Sequence, residues 1–298
     1  MKIILPFFND STIYRFNVNS SKFTWFQTGG VIDTIFRPKS VADLTYFLQN
    51  FADKSMIKIL GACSNVIIRD GGFRGVAIRL GGGFNYINKL DDTTIQVGGS
   101  TLDLNIANFA MENGIGGLEF LASIPGSLGG NIKMNAGCYG SDLSSILVEY
   151  ECVDMNGKIH IFKRENIDFT YRNNPKADGF IFTKATLRGF IDTKENIAKK
   201  MKEIKEKREL SQPVKSNTGG STFVNPKGQQ AWQLIESCGF RGIKLGGAQV
   251  SEQHCNFLLN IKNATSLEIE SLGEVIRATV LEKHNIELQW EIERFGSF

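Results

Sequence analysis

The segment GIGGLEFLASIPGSLGGNIKMNAGCYG, residues 114–140, decides the fold class of this 298-residue chain. It closes a stretch, residues 61–140, that holds 17 of the 31 glycines, whereas glycine makes up only about 7% of an average protein. The glycines follow no fixed period, which excludes collagen and repeat arrays. Such a density indicates tight turns and close backbone approach to a bound molecule, and we expect residues 114–140 to be too rich in glycine for a helix.

Outward from this segment, the N-terminal two-thirds of the chain is predicted to be mainly β-structure. Short apolar runs between the glycines predict strands, and residues 102–112 carry apolar side chains on one helical face. Alternation on both sides of Asn156-Gly157 predicts a hairpin with a type I′ turn. The predicted strands are Ile57–Leu60, Val66–Ile68, Val76–Leu80, Thr94–Val97, Val148–Val153, Lys158–Lys163 and Phe180–Leu187.

The composition changes near residue 193, where a charged helical segment with an apolar stripe begins. We place a domain boundary there, so that residues 1–193 and 194–298 form separate regions. Thr265 and Glu268 form a capping box that predicts a final helix reaching about Lys283. The other elements predicted for the second region are a glycine-serine loop at Asn217–Phe223, a helix at Gln230–Cys238, and strands at Asn256–Asn260 and Ile286–Phe295.

Composition and charge exclude several classes of protein. The 34 basic and 31 acidic residues give a net charge of +3, too weak an excess for a dedicated nucleic-acid binder. No apolar run reaches the roughly 18 residues of a membrane span, and Met1–Asp10 reads as mature protein rather than a signal peptide. Five cysteines without a C-x-x-C and only three histidines favour a reducing compartment and argue against a metal site.

Two loops are candidates for binding phosphate. The first phosphate loop, Gly61–Asn65, directly follows an apolar strand, and the second phosphate loop, Ile124–Asn131, lies inside the glycine-rich segment. Both offer backbone N–H groups that side chains do not obstruct, which suits a pyrophosphate. Either loop alone could equally be an ordinary tight turn. The signatures of P-loop, Rossmann and α/β-hydrolase proteins are missing from the sequence.

Three further positions could carry chemistry. Ser221 follows two glycines and is freely presented as a proton donor, although the tripeptide by itself favours a loop serine or a helix cap. Arg172 could clamp a carboxylate with two N–H groups, or be a surface arginine. Glu291 and Glu293 share a face of the predicted terminal strand, and the spacing does not distinguish between them.

Taken together, these residues resemble a known family, the UDP-N-acetylenolpyruvoylglucosamine reductases, flavoenzymes that make UDP-N-acetylmuramate for peptidoglycan. The resemblance covers nearly the whole chain, from about Thr28 to Gly296. Each motif alone is weak, but their joint occurrence in this order is highly specific. The matching stretches are Thr28-Gly29-Gly30, Gly61–Asn65, Gly117-Leu118-Glu119, Ile124–Gly130, Asn135-Ala136-Gly137, Tyr171-Arg172, Gly220-Ser221 with Asn225-Pro226, Gly247–Ser251, and Glu291.

The resemblance implies an α+β fold with a vanillyl-alcohol-oxidase-type FAD-binding domain and a C-terminal α+β substrate domain. The FAD-binding region would be residues 1–193, with subdomains at about 1–82 and 83–193, and the substrate-binding domain residues 194–298. The catalytic residues implied are Arg172, Ser221 and Glu291, and the substrate contacts implied are Asn225 and His254. The residues implied to bind FAD are Gly61, Cys63, Ser64, Asn65, Ser123, Ile124, Pro125, Gly126, Ser127, Gly129, Gly130, Asn135 and Gly137.

The reaction implied by the resemblance is NADPH-dependent reduction of the enolpyruvyl ether of UDP-N-acetylglucosamine. We expect FAD to be non-covalent, because His160 is the one histidine before residue 193 and lies far in sequence from both loops. Arg172 and Glu291 would flank the substrate carboxylate, with Glu291 protonated through burial, and Ser221 would protonate the adjacent carbon. We expect a cytoplasmic monomer without nucleic-acid or membrane partners.

The chain departs from the family pattern in three places. Ala62 and Cys63 stand where the family usually has glycine, and Asn173-Asn174 follow Arg172 where the family often has a serine. The short stretch after Arg172 indicates the subclass that lacks an inserted tyrosine-bearing loop. Two alternatives stay open from the sequence: another FAD oxidoreductase of the same fold with a different sugar or alcohol substrate, and a non-catalytic module that binds nucleotide sugars.

Overall fold

The computed structural model describes residues 5–6 and 11–298, so most of Met1–Asp10 lies outside the described residues. The helices are α1 (Val41–Asn50), α2 (Asp103–Glu112), α3 (Leu128–Met134), α4 (Lys194–Ser211), α5 (Ala231–Ser237) and α6 (Ser266–His284). The strands are β1 (Tyr14–Asn19), β2 (Val31–Phe36), β3 (Ile57–Ile59), β4 (Val66–Ile68), β5 (Phe73–Ile78), β6 (Ile87–Lys89), β7 (Thr94–Gly98), β8 (Ile115–Gly116), β9 (Gly137–Cys138), β10 (Ser141–Asp142), β11 (Leu147–Asp154), β12 (Ile159–Lys163), β13 (Phe180–Arg188), β14 (Phe190–Ile191), β15 (Thr218–Ser221), β16 (Lys244–Leu245), β17 (Ala248–Val250), β18 (Phe257–Asn260) and β19 (Glu293–Phe295).

The described residues divide into two compact units by their internal contacts. Unit 1 comprises the residues up to Arg15 together with Ile35–Ala62 and Gly75–Lys207, and unit 2 comprises Phe16–Thr34, Cys63–Arg74 and Arg208–Phe298. The chain passes from one unit to the other inside β1, β2 and β5. The division follows contacts within the protein and does not show which residues bind a ligand. The FAD-binding region 1–193 and the substrate-binding domain 194–298 therefore stay predictions.

Unit 1 contains a five-stranded antiparallel sheet of order β12-β11-β13-β7-β6. Its main core surrounds the fully buried Tyr150 and includes apolar residues of α2 and α3. A second core lies around α1, where the rings of Phe36 and Phe47 stack with centroids 4.3 Å apart. Helix α1 begins at a capping box formed by Ser40 and Asp43, which satisfies backbone N–H groups of its first turn.

Unit 2 contains a four-stranded sheet of order β15-β18-β17-β16, packed against α6. Helix α6 begins at the predicted capping box of Thr265 and Glu268. The core of unit 2 includes Phe26, which comes from the N-terminal segment and is fully buried. Strand β19 pairs in parallel with β4, with Glu293 opposite Val66, so the end of the chain completes a ladder with a strand near its beginning.

Most predicted strands and helices occur in the structure, but the glycine-rich segment corrects the prediction of no helix there. Helix α3 occupies Leu128–Met134. Its first turn is fixed by backbone contacts, since Leu128 N donates to Thr101 O at 3.0 Å and Gly129 N donates to Gly99 O at 2.9 Å. Both bonds are made to residues that are distant in sequence. They outweigh the low intrinsic helix propensity of the glycine-rich segment, which is the only signal that the local sequence carries.

Three other predictions need correction. The Asn217–Phe223 loop contains strand β15, and the terminal strand covers only Glu293–Phe295, so Glu291 precedes it instead of lying in it. The hairpin of β11 and β12 is confirmed, but its turn is not type I′. Gly157 has a positive φ of 80°, whereas the φ of Asn156 is not positive. A type I′ turn needs a positive φ at both central residues, so the turn is instead a three-residue loop that ends in a left-handed glycine.

The described residues contain no helix that is both long and apolar enough to cross a membrane. In the same part of the chain, no group of three or more His, Cys, Asp or Glu side chains could hold a metal ion.

Candidate active site

The two phosphate loops meet in unit 1 at Gly61 and Ser127. A Cβ atom on Gly61 would lie 3.0 Å from the Ser127 Oγ, so a side chain at residue 61 would press on that hydroxyl. Ser127 is the N-cap of α3, but its side chain does not cap the helix. The sequence therefore places two glycine-rich turns side by side, with the Ser127 hydroxyl between them.

The remainder of the first phosphate loop belongs to unit 2, where it is tied to the chain around Glu291. Cys63 has a left-handed φ of 57°, a conformation that glycine adopts more readily. After Ser64, the Asn65 Nδ2 donates to the Glu291 carbonyl oxygen at 2.9 Å. The Cys63 carbonyl oxygen accepts from the Trp25 N–H at 3.1 Å.

The second phosphate loop is approached through a short 3-10 segment, Glu119–Ser123, which Ile124 and Pro125 follow. The Ser123 Oγ lies 3.0 Å from the Cys138 Sγ, which ties the start of the loop to strand β9. A Cβ on Gly129 would lie 3.1 Å from the Gly99 carbonyl oxygen, while a Cβ on Gly130 would meet nothing closer than 4.0 Å. Gly129 is thus needed for packing, and Gly130 keeps the loop surface open.

Gly126 of the second phosphate loop lies against a polar pair formed by Asn131, the last residue of that loop, and Asp103, which the sequence analysis missed. Both side chains are buried, and neither carboxylate oxygen of Asp103 nor the Asn131 Nδ2 has a hydrogen-bond partner among the described residues. A Cβ on Gly126 would lie 2.7 Å from the Asp103 Oδ2 and 3.1 Å from the Asn131 Oδ1. Burial raises the pKa of the Asp103 carboxyl well above its usual range, and the Asn131 amide opposes that rise.

The geometry of the loops fits the phosphates of a dinucleotide such as FAD. The residues that meet at Gly61 and Ser127 are small, and Gly130 leaves the backbone of the second loop open at its own position. Exposed backbone N–H groups and a serine hydroxyl are the usual partners of a pyrophosphate.

Asn135 and Gly137 connect the segment after α3 to the predicted catalytic arginine. The Asn135 Nδ2 donates to the Thr170 carbonyl oxygen at 3.0 Å, and the Arg172 Nη1 donates to the Gly137 carbonyl oxygen at 2.9 Å. All four residues lie in unit 1. The two segments that the sequence singled out separately are therefore held together by these two hydrogen bonds.

Arg172 itself has an unusual backbone. Its φ is +54°, a left-handed conformation that costs an L-residue about 1–2 kcal/mol. Its guanidinium lies 5.6 Å from the centre of the exposed Tyr171 ring. Strained backbone of this kind is concentrated at functional sites, where the surrounding structure holds it in place.

In unit 2, a break in the ladder of β15 and β18 presents Ser221. Ser221 pairs with Phe257, and the register shifts between Thr218 and Ser221. Gly220 has a φ of 82° with open space around its Cα, while a Cβ on Gly219 would lie 2.4 Å from the Phe26 ring. Irregular pairing of this kind changes the direction of the following side chain, here that of Ser221. Gly220 permits the bend in the backbone, and Gly219 permits close packing against the Phe26 ring.

Glu291 is joined to the Ser221 segment by its backbone. The Glu291 N–H donates to the Thr222 carbonyl oxygen at 2.9 Å, and its own carbonyl oxygen accepts from Asn65. Its backbone is therefore held on one side by the residue after Ser221 and on the other by the first phosphate loop. Ser221 and Glu291 lie in unit 2 and Arg172 in unit 1, so the convergence of all three stays a prediction.

The two residues predicted to contact substrate also lie in unit 2. The His254 ring is 4.9 Å from the ring of Phe257, the strand partner of Ser221, and its Nδ1 accepts from the Asn256 N–H at 3.3 Å. Burial lowers the pKa of His254, which favours the neutral ring at pH 7. The Asn225 Oδ1 accepts from the Ala231 N–H at 2.9 Å at the start of α5.

Comparison with known proteins gives matches over both parts of the chain. Residues 32–163 match the model of an FAD binding domain. Residues 212–295 match the model described as UDP-N-acetylenolpyruvoylglucosamine reductase, C-terminal domain. The predicted α+β fold, with an FAD-binding domain followed by a C-terminal domain, is confirmed.

Several relatives are similar over almost their whole length. A UDP-N-acetylenolpyruvoylglucosamine reductase of Wolbachia sp. subsp. Brugia malayi is 44% identical over 286 residues, 96% of this chain and 96% of the relative. That of Rickettsia conorii is 44% identical over 294 residues, 99% of each. The crystal structure of UDP-N-acetylenolpyruvylglucosamine reductase from Thermus caldophilus superposes with a TM-score of 0.80 at 30% identity, covering 93% of this chain and 97% of that one.

Proposed function

Since the chain belongs to the UDP-N-acetylenolpyruvoylglucosamine reductase family, we propose that it reduces the enolpyruvyl ether of UDP-N-acetylglucosamine to UDP-N-acetylmuramate, with NADPH as reductant. The chain is an FAD-dependent oxidoreductase, which removes the non-catalytic binding module from the alternatives. The proposed product is a peptidoglycan precursor, and we propose that the enzyme works in the cytoplasm.

The proposed FAD site uses the two phosphate loops. Gly61 and Ser127 would lie against the pyrophosphate, with the open position of Gly130 allowing the backbone of the second loop to approach it and with Gly126 and Gly129 allowing the loop to pack closely on the protein. When bound, FAD supplies the hydride that the enolpyruvyl double bond receives, after its own reduction by NADPH.

Arg172 and Glu291 are proposed to hold the carboxylate of the enolpyruvyl group. A guanidinium offers a planar fork of N–H donors that matches a carboxylate, and the Gly137 carbonyl oxygen fixes the Arg172 Nη1. The backbone of Glu291 is anchored between Asn65 and Thr222, which limits where its side chain can reach. As negative charge spreads into the substrate carboxylate during reduction, the Arg172 guanidinium and a protonated Glu291 would stabilise it.

Ser221 is proposed to complete the reaction by protonating the carbon next to the carboxylate. A serine is a weak acid in water, but the strongly basic carbon formed by hydride addition makes the transfer favourable. The observation that carries the proposal is the placement of Ser221 at the glycine-supported bend of β15, one residue before the Thr222 carbonyl oxygen that binds the Glu291 N–H.

The experiment that tests the proposal separates the two half-reactions in the stopped flow. Ser221→Ala should leave flavin reduction by NADPH at the wild-type rate and slow reoxidation by the enolpyruvyl substrate by roughly 10²–10⁴-fold, the usual value of a positioned general acid. Ser221→Cys should keep more activity, since a thiol also donates a proton. The exposed Ser216, five residues earlier, gives the matched control Ser216→Ala.

Two results would contradict the proposal. If Ser221→Ala slows flavin reduction, or reoxidises at the wild-type rate, Ser221 is not the proton donor. If the wild-type protein is reduced by NADPH but the enolpyruvyl substrate fails to reoxidise it, the chain acts on a different substrate.

A further inference from the structure

Asp103 is a buried acidic residue that the proposed mechanism leaves unused. It is the first residue of α2, and its side chain is completely shielded from solvent. An acidic residue in the first turn of a helix is normally exposed, where the helix dipole favours its negative charge. Here neither carboxylate oxygen has a hydrogen bond of good geometry among the described residues, so an ionised side chain would be a buried charge that only the Asn131 amide compensates in part.

The surroundings of Asp103 belong to the second phosphate loop. The Asp103 N–H donates to the Gly126 carbonyl oxygen at 3.3 Å, and the Asp103 Oδ2 would lie 2.7 Å from a Cβ on Gly126. Asn131, in the first turns of α3, faces the same glycine, and its Nδ2 lacks a partner among the described residues. Two buried polar side chains, Asp103 and Asn131, therefore lie against Gly126 of the loop proposed to bind phosphate, and the polar group that each one faces is the other.

The loop is held against this pair by a short set of backbone bonds. Leu128 N donates to Thr101 O, Gly129 N donates to Gly99 O, and Leu102 forms an isolated bridge with Ser127. Because the residues before Asp103 and the residues after Gly126 are paired in this way, the Asp103 carboxyl cannot move away from the loop without breaking the pairing. Gly126 is the position where any larger residue would collide with the carboxyl.

We propose that Asp103 is a positioning residue for the second phosphate loop, which supports Gly126 from behind as a neutral carboxylic acid, and that FAD binding requires this neutral form. A pyrophosphate is anionic, so a charged Asp103 on the other side of the loop would repel it, and the low polarity of the buried position would strengthen the repulsion. A neutral carboxyl fills the same space and can donate one hydrogen bond.

The environment of Asp103 agrees with the neutral form. Burial is the main influence on its pKa and raises it, while the Asn131 amide acts in the opposite direction. The charged side chains carried by the neighbouring elements, Glu119 of the 3-10 segment and Lys133 of α3, are not among the influences on its pKa. The dipole of α2 favours the ionised form, but complete burial is the larger effect for a side chain with no solvent contact.

The test measures release of FAD from the holoenzyme, using the fluorescence of free flavin, in dilution series between pH 6 and pH 9. Asp103→Asn is the neutral mimic of the same shape and should bind FAD as tightly as the wild type at pH 6. As pH rises, the wild-type Kd should increase relative to that of Asp103→Asn, by up to about tenfold per pH unit for one coupled proton. Asp103→Ala, which removes the support, should bind FAD more weakly at every pH.

Two controls separate this inference from the proposals on which it rests. The exposed Asp178, in the same unit, gives the matched variant Asp178→Asn, which should follow the wild type at every pH. The inference rests on the proposed assignment of the second phosphate loop to FAD, and Gly129→Val tests that assignment separately. Neither measurement uses the enolpyruvyl substrate, so the proposed reaction could fail while this inference holds.

The outcomes are decisive in both directions. A wild-type Kd that rises against Asp103→Asn at alkaline pH, together with a protonated-carboxyl infrared band that Asp103→Asn lacks, supports the inference. Loss of that infrared band with rising pH while the ratio of the two Kd values stays constant overturns the requirement for a neutral acid, as does absence of the band from the wild-type holoenzyme at pH 6. Equal FAD affinity of Asp103→Ala and Asp103→Asn overturns the supporting role, since shape would then not matter.

Discussion

Replacing Gly219 with alanine tests whether packing beneath Ser221 controls its position. A methyl group on Gly219 would lie 2.4 Å from the Phe26 Cε2 and 3.2 Å from the Ile292 Cδ1. Carbon atoms in contact normally stay about 3.5–4.0 Å apart, so the Phe26 ring would have to move by about 1 Å. Phe26 is completely buried, and overpacking of this kind typically costs about 1–3 kcal/mol.

Two measurements follow from this collision. Chemical denaturation of Gly219→Ala should show a free energy of unfolding lower by about 1–3 kcal/mol. Reoxidation of the reduced flavin by the enolpyruvyl substrate should also slow, because Ser221 lies two residues away and Ile292 is the neighbour of Glu291. Reduction by NADPH should be much less affected.

The control for Gly219→Ala is Gly82→Ala, because a Cβ on Gly82 would meet nothing within 4 Å and its φ is not positive. Trimming the ring with Phe26→Leu in the Gly219→Ala background should recover part of the lost stability, and a double-mutant cycle would give the coupling. The reasoning fails if Gly219→Ala is as stable as Gly82→Ala and reoxidises at the wild-type rate.

Three further changes test other parts of the site. Gly129→Val should lower the FAD content of the purified protein, since even its Cβ would lie 3.1 Å from the Gly99 carbonyl oxygen; a folded variant with full FAD content would refute the loop assignment. Arg172→Lys should strongly reduce turnover while NADPH still reduces the flavin, because lysine cannot form the planar fork; an unchanged rate would make Arg172 an ordinary surface residue. Burial lowers the pKa of His254, so below about pH 6.5 the unfolded chain binds a proton that the native protein does not. The free energy of unfolding should therefore fall as pH drops from about 7.5 to 5.5, less so in His254→Gln; urea denaturation with the same pH slope in both proteins would contradict this.

The sequence was sufficient where structure depends on neighbouring residues. The capping box of Thr265 and Glu268 fixes the start of α6 by bonds that span three residues. The hairpin around Asn156-Gly157 depends on the alternation of side chains in the two strands beside the turn, which the local sequence shows. Only the predicted turn type was wrong. Apolar runs such as Val66–Ile68 coincide with their strands, because a buried strand has no polar residues to interrupt the pattern.

The sequence was insufficient where partners come from distant segments. Helix α3 depends on carbonyl oxygens of Gly99 and Thr101, nearly thirty residues earlier. The anchor of Glu291 between Asn65 and Thr222 has no local signal either. Asp103 looked like an ordinary acidic residue at a helix start, and only its burial against Gly126 distinguishes it. The family resemblance supplied Glu291 but not Asp103, and the physical reasons for both required the three-dimensional arrangement.

The parallel pairing of β19 with β4 has a consequence for biosynthesis. Val66 leaves the ribosome long before its partner Glu293 is translated, so this ladder cannot form until Glu293–Phe295 have been made. Closing so long a loop also carries an entropic cost that nearby contacts do not. The early segments of unit 2, Phe16–Thr34 and Cys63–Arg74, must therefore wait for these late residues before the unit is complete. A nascent chain in that interval exposes β4 without its partner, a situation in which holding chaperones protect against aggregation.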